Sequence, residues 1–238
     1  MLFNHTYLFT AITDKLIWIF LLVAVVLVIS FLKDKRMKGR KIIFFGDSLT
    51  EYGVNKGGYL YLMKRMLKDQ QITDCNLIGA GIAGNKVTDL QERLIRDVIS
   101  KSPDVVVIWI GINDVWHKYS HANGTDEDTF NKTYRNIVKQ LLADNIKILL
   151  VTPGVIGEKT DRSNLADDEL DAYSQLIRNV AADYHLPLCD MRHLFSLYEK
   201  ENNHANAEAG ILTHDSVHLS DAGNKFVAEE MWKALKAV

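Results

Sequence analysis

The sequence predicts an α/β domain in which a five-stranded parallel sheet lies between two layers of helices, preceded by an N-terminal transmembrane helix. Three observations carry this reading. From Lys41 on, short apolar, β-branched runs alternate five times with amphipathic stretches, and five βα units in succession build a parallel sheet with helices on both faces. The third run, Val105–Ile110 (VVVIWI), is apolar without interruption, as expected of a strand covered on both faces. Right-handed crossovers then leave few topologies, of which a flavodoxin-like, three-layer α/β/α doubly wound sheet is the simplest.

The first element is Leu16–Leu32 (LIWIFLLVAVVLVISFL), which carries no charge and only one polar side chain, Ser30. Its 17 residues sit at the short end of what a helix needs to cross the hydrocarbon core. A cleaved signal segment is the competing reading, but the run exceeds the usual apolar region and no small-residue cleavage site follows it. The basic stretch Lys33–Lys41 follows instead. The expected organisation is a short tail (1–15), an anchor (16–32), a basic linker (33–40) and one folded domain (41–238). The positive-inside rule favours a cytoplasmic domain. Three N-x-Thr sequons at Asn4, Asn123 and Asn131 leave the other side open.

Within the domain, strands are expected at Ile42–Phe45, Asn76–Ile78, Val105–Ile110, Ile146–Val151 and Leu186–Cys189. Helices are expected at Tyr59–Lys68, Thr88–Ile99, Thr129–Ala143, Glu169–Tyr184 and from Asp221 to about Lys236. In the second of these helices Leu90, Leu94, Ile95 and Val98 recur at helical spacing opposite a charged face. The polar segment Glu199–Gly210 reads as a mobile loop, and Val115–Gly124 as a loop carrying Trp116, His117 and Tyr119.

Composition narrows the function. Of 238 residues 47% are apolar and 24% charged, and the net charge of −2 offers no basic face for nucleic acid. Cys75 and Cys189 lie in or beside strand-like runs without metal-ligand spacing, so both are expected to be buried free thiols.

Ligands of such sheets bind beyond the carboxyl ends of the strands. Three polar, glycine-bearing loops converge there: Gly46-Asp47-Ser48, Gly79–Gly84 and Gly111–Asp114. Serine needs a base, and the base an orienting partner. His218 has Asp215 three residues before it, a spacing that brings carboxylate to imidazole in a tight turn. Gly84 offers an unobstructed backbone N–H, Asn113 a side-chain amide, and Ser48 its own N–H, which together supply donors for an oxyanion.

In these residues the sequence resembles the SGNH, or GDSL, hydrolase superfamily. GDSLTEYG matches its first block, GIAGNKVTDLQERL its second, GIND its third and DSVHLS its last. The resemblance implies ester hydrolysis without metal or organic cofactor. Ser48 would be the nucleophile, His218 the base and Asp215 its partner, with Ser48, Gly84 and Asn113 forming the oxyanion hole. Asn85 stands where many members carry aspartate, and Ser216 where glycine is usual. The segments TPGVIGEK and LCDMRHLF are similar to a microbial branch of short-chain acetate esterases and lysophospholipase-like enzymes.

Other readings are weaker. Thr50 occupies the second glycine of a Gly-x-Ser-x-Gly elbow, which disfavours the α/β-hydrolase turn. Asp47 reads as a support for the turn and Asp114 as a brace for neighbouring loops. His214 and His218 have i, i+4 spacing without a third zinc ligand. The expected partner is a small-molecule or lipid ester, with the membrane reached through the N-terminal helix. A short-chain acyl esterase competes with a lysophospholipase, and a non-catalytic glycan-binding module on the same fold is the reading from another class.

Overall fold

The computed structural model describes residues 17–19 and 37–238. The chain divides into two units, Met1–Lys38 and Gly39–Val238. In the first, Ile17, Trp18 and Ile19 are helical and exposed. The rest of the expected anchor and most of the basic linker lie outside the described residues. Among the described residues no helix is long and apolar enough to cross a membrane, so the structure gives the anchor no support.

The second unit runs β1 (Lys41–Gly46), α1 (Ser48–Gly53), α2 (Tyr59–Asp69), β2 (Asn76–Gly81) and α3 (Val87–Asp97). It continues through β3 (Val105–Trp109), α4 (Ile112–Ser120), α5 (Glu127–Ala143) and β4 (Lys147–Val151). It closes with α6 (Asp167–Asp183), β5 (Leu188–Cys189), α7 (Met191–Asn202) and α8 (Asp221–Leu235). The sheet has the order β2-β1-β3-β4-β5 and all its pairs are parallel. Strand order reverses beside β1, which opens a crevice at the carboxyl edge.

Alternation along each strand feeds two cores. Ile43 and Phe45, Val106 and Ile108, and Ile148 and Leu150 join one buried cluster with the apolar stripes of α3, α5 and α6. On the other face Phe44 and Trp109 meet the ring of Tyr59 at 6.0 and 5.6 Å between centroids, and α2 packs on α8.

The expected three-layer fold and parallel sheet are therefore present, with local differences. β2 extends to Gly81 and β5 shrinks to two residues. Three helices were not expected: α1, α4 and α7. The segment after the central strand is helical to Ser120, and the supposed mobile loop begins inside α7. Its Glu199 and Asn203 are buried. Asn203 donates to the carbonyls of Glu158 (2.6 Å) and Ala207 (2.8 Å) and accepts from the Ala207 N–H (2.8 Å), so side-chain hydrogen bonds order a polar stretch. Both cysteines are free thiols and Cys189 is buried, but Cys75 is only half-buried because it precedes an edge strand.

Candidate active site

The opening loop is set by Asp47. Its Oδ1 accepts the Leu49 N–H (3.0 Å) and caps α1, while its carbonyl takes the N–H groups of Thr50 and Glu51 (3.1 and 3.0 Å). Ser48 is then the first helical residue, where an N–H has no partner inside the helix. The helix lies directly on the end of β2: a Cβ on Gly81 would fall 2.2 Å from the Glu51 nitrogen. Burial pushes the Asp47 carboxyl up to about 7; the Leu49 N–H opposes the rise and nearby Asp114 adds to it.

The base arrives on a tight turn closed by an antiparallel bridge between Thr213 and Leu219. Within it, Asp215 Oδ1 accepts the N–H groups of Val217 (3.1 Å) and His218 (2.7 Å). Asp215 Oδ2 lies 2.7 Å from His218 Nδ1, and His218 Nε2 lies 3.1 Å from Ser48 Oγ. Burial alone would raise the Asp215 carboxyl, but its bonds from the His218 ring and from the two backbone N–H groups hold it below the usual carboxylate range. Three sequence-predicted residues thus stand in one hydrogen-bonded chain.

Gly84 and Asn113 border the same edge. Gly84 has φ +77°, a left-handed conformation that glycine adopts without strain, and the nearest atom to a Cβ built there is His117 Cε1 at 3.9 Å. Buried Asn113 opens α4, and its Nδ2 donates to the Asn85 carbonyl (3.0 Å). This bond ties the amide to the Gly84 turn and leaves its second N–H for a ligand. Asp114 braces rather than reacts. Its two oxygens accept the Val87 N–H at 3.1 and 3.2 Å, joining α3 to α4. Burial raises its carboxyl to about 6 against the Thr125 hydroxyl and the Val87 N–H.

Sequence reasoning missed Arg93, which it did not single out among the charges of α3. Arg93 is 5% exposed. It donates to the Gly46 carbonyl (2.7 Å), the Ala80 carbonyl (2.9 Å) and Asn85 Oδ1 (2.7 Å), and its guanidinium lies 4.5 Å over the Phe45 ring. One side chain therefore joins the ends of β1 and β2 to the Gly84 turn. The available signal was its position three residues after Leu90 and one before Leu94, on the flank of the buried stripe.

Aromatic rings surround the imidazole. Tyr52, His214 and Trp116 lie 5.5, 6.0 and 6.2 Å from His218 between centroids. His214 turns Nδ1 to the His218 carbonyl (2.8 Å), and both His218 ring nitrogens are engaged, which leaves the zinc reading without support. Two cavities adjoin the pair. One of about 180 Å³ is bounded by Leu49, Tyr52, His214, His218, Leu219 and Asn224. The other, about 390 Å³, is bounded by Trp116, Tyr119, Leu165, Asn164, Asp215 and Ser216, among others. Trp116 and Tyr119 line this second cavity, whereas His117 sits beside Gly84. His193 and His204 are exposed.

A doubly wound sheet that gathers these four blocks at its carboxyl edge defines a carboxylic ester hydrolase. The chain belongs to the GDSL-like lipase/acylhydrolase family, which it matches over residues 44–226. It is similar to the acetyl xylan esterase AlAXEase of known structure, with 52% identity, a TM-score of 0.81, and coverage of 82% of this chain and 99% of that one. An acetylxylan esterase of Geobacillus stearothermophilus is 28% identical over 207 residues, 80% of this chain and 91% of its own. An isoamyl acetate-hydrolyzing esterase 1 homolog of Rattus norvegicus is 25% identical over 216 residues, 82% and 81% of the two chains.

Proposed function

We propose that the protein is a serine esterase that removes short acyl groups, acetyl above all, from sugars or other small alcohols through an acyl-enzyme on Ser48. The observation that carries this is the chain Ser48 Oγ–His218 Nε2 (3.1 Å) and His218 Nδ1–Asp215 Oδ2 (2.7 Å). Ser48 attacks the ester carbonyl as His218 takes its proton, and Asp215 stabilises the imidazolium. The N–H groups of Ser48 and Gly84 and the Asn113 amide receive the oxyanion. His218 returns the proton to the departing alcohol, and water then releases the acid. Acidification lowers the rate because a protonated imidazole cannot accept the serine proton.

Two things support a short acyl group: the small cavity beside Leu49 and Tyr52, and relatives named for acetate esters. The test is a rate profile over esters of increasing acyl length. Acetate and propionate esters are expected well above octanoate. Ser48→Ala is expected to lower kcat by about 10⁴-fold or more, and its retention of full activity overturns the reading. A profile that favours long chains or lysophospholipids supports the lipase alternative instead.

We propose further that Leu16–Leu32 anchors this domain to a membrane, on the strength of its uncharged length. The full chain is expected to sediment with membranes and a chain lacking residues 1–38 to stay in the supernatant. Equal partitioning of the two overturns the anchor.

A further inference from the structure

The loop after β4 carries Glu158, which the proposed chemistry does not use. It is fully buried, and its carboxylate accepts three consecutive backbone N–H groups. Oε2 takes that of Ile211 (2.8 Å), and Oε1 takes those of Leu212 (2.6 Å) and Thr213 (2.7 Å). Successive N–H groups converging on one anion form a nest, and bonds to an ionised acceptor are about twice as strong as neutral ones. Thr213 opens the bridge that closes the Asp215–His218 turn. The next hold comes from the same loop, where the Gly157 N–H donates to the Ser216 carbonyl inside the turn (2.8 Å). Glu158 is itself fixed, its N–H donating to Glu208 (2.9 Å) and its carbonyl accepting from Asn203 (2.6 Å).

We propose that Glu158 is a positioning residue for the base: its carboxylate clamps the segment Ile211–Thr213 and so sets where His218 Nε2 stands over Ser48. This rests on the serine-esterase reading. Beyond the Gly157 bond to Ser216 and the Asn224 amide on the Leu219 carbonyl (3.3 Å), the turn is self-contained, since Asp215 satisfies its inner N–H groups. Nothing within it fixes its height above α1. A carboxylate reaching from the sheet edge does, because β4 is bonded to β3 and β3 to β1, which leads into Ser48.

The test compares Glu158→Gln and Glu158→Leu with the natural chain and with Ser48→Ala. Hydrolysis of a small acetyl ester is measured per site titrated with a fluorophosphonate, alongside thermal unfolding. A displacement of about 1 Å can cost about 10²-fold in rate. Glu158→Gln is expected to lower kcat by about 10- to 100-fold with KM nearly unchanged, and to slow phosphonylation of Ser48 in proportion. Its remaining oxygen can still accept two N–H groups, so it is expected to exceed Glu158→Leu. Glu158→Gln alone decides the matter if the leucine variant does not fold. The inference is overturned if Glu158→Gln loses unfolding temperature or titratable sites while kcat per titrated site stays at the natural value. An active Ser48→Ala overturns the esterase reading, and the clamp with it; an inactive Ser48→Ala beside a normal Glu158→Gln removes the clamp alone.

Discussion

Ser216 sits at φ +78° in the turn between Asp215 and His218, a left-handed conformation that costs a side-chain-bearing residue about 1–2 kcal/mol. The resemblance places glycine there in most members of the superfamily. Ser216→Gly relieves the strain, although the freer glycine also stabilises the unfolded chain. The net gain is expected to be about 0.5–1 kcal/mol, or a rise of about 2–4 °C per kcal/mol in a chain of this size. Thermal unfolding checks this, and a lower unfolding temperature contradicts it. At the same scale, the sequence singled out Ser48, Gly84, Asn113, Asp215 and His218 as candidates because ester chemistry restricts which residue types can serve and where. Glu158 was not legible: a carboxylate bound by three backbone N–H groups leaves no side-chain pattern to read.

Between elements, Arg93 does what the motifs do not. Without its guanidinium the Gly46 carbonyl keeps only the Ile82 N–H (3.3 Å), and the Ala80 carbonyl and the Asn85 side chain each lose a donor. A buried acceptor left unpaired costs about 1–3 kcal/mol, so Arg93→Ala is expected to destabilise the fold by about 1–3 kcal/mol. Turnover should fall with it, because the Gly84 turn carries an expected oxyanion donor. Arg93→Lys, a single point charge in place of a fork, should fall between the two. Denaturant titration and kcat measure both effects, and an Arg93→Ala protein as stable and active as the natural one refutes the brace. The longer helices and the central strands were legible from periodicity. Short α1 and α4 were not, since six and nine residues at a strand end show little periodicity. Arg93 was not legible because a charge in an amphipathic helix normally marks the wet face.

Across the whole molecule, buried acids set the response to pH. Burial, then the charge of Glu158, raises Glu199 to about 8, and its Oε1 has no hydrogen-bond partner. Arg192, which bonds Asp167 (2.8 Å) and Asp171 (2.7 Å), opposes that rise, while Asp167 adds to it. An acid whose folded pKa lies above its unfolded value binds more protons when folded. Its contribution is therefore intact at low pH and is lost as pH climbs from about 4.5 to about 8. Glu199→Gln removes this ionisation, so its stability relative to the natural chain should improve from pH 5 toward pH 8. Unfolding temperatures measured across that window test the sign, and a difference that is flat with pH refutes it. The layer order and the parallel sheet were readable because each βα unit announces itself locally. The buried acid network was not, because it joins residues from separate segments.

The contact between Ser48 and His218 joins residues 170 positions apart. Asn224, at the start of α8, reinforces it by accepting the Tyr59 N–H at the start of α2 (2.9 Å). Contacts of such sequence separation carry the largest loop-closure cost and lengthen the search for the native state. A chain emerging from the ribosome presents Ser48 170 residues before His218. The proposed hydrolytic pair is thus assembled only once the segments carrying Ser48 and His218 have both been made and have met.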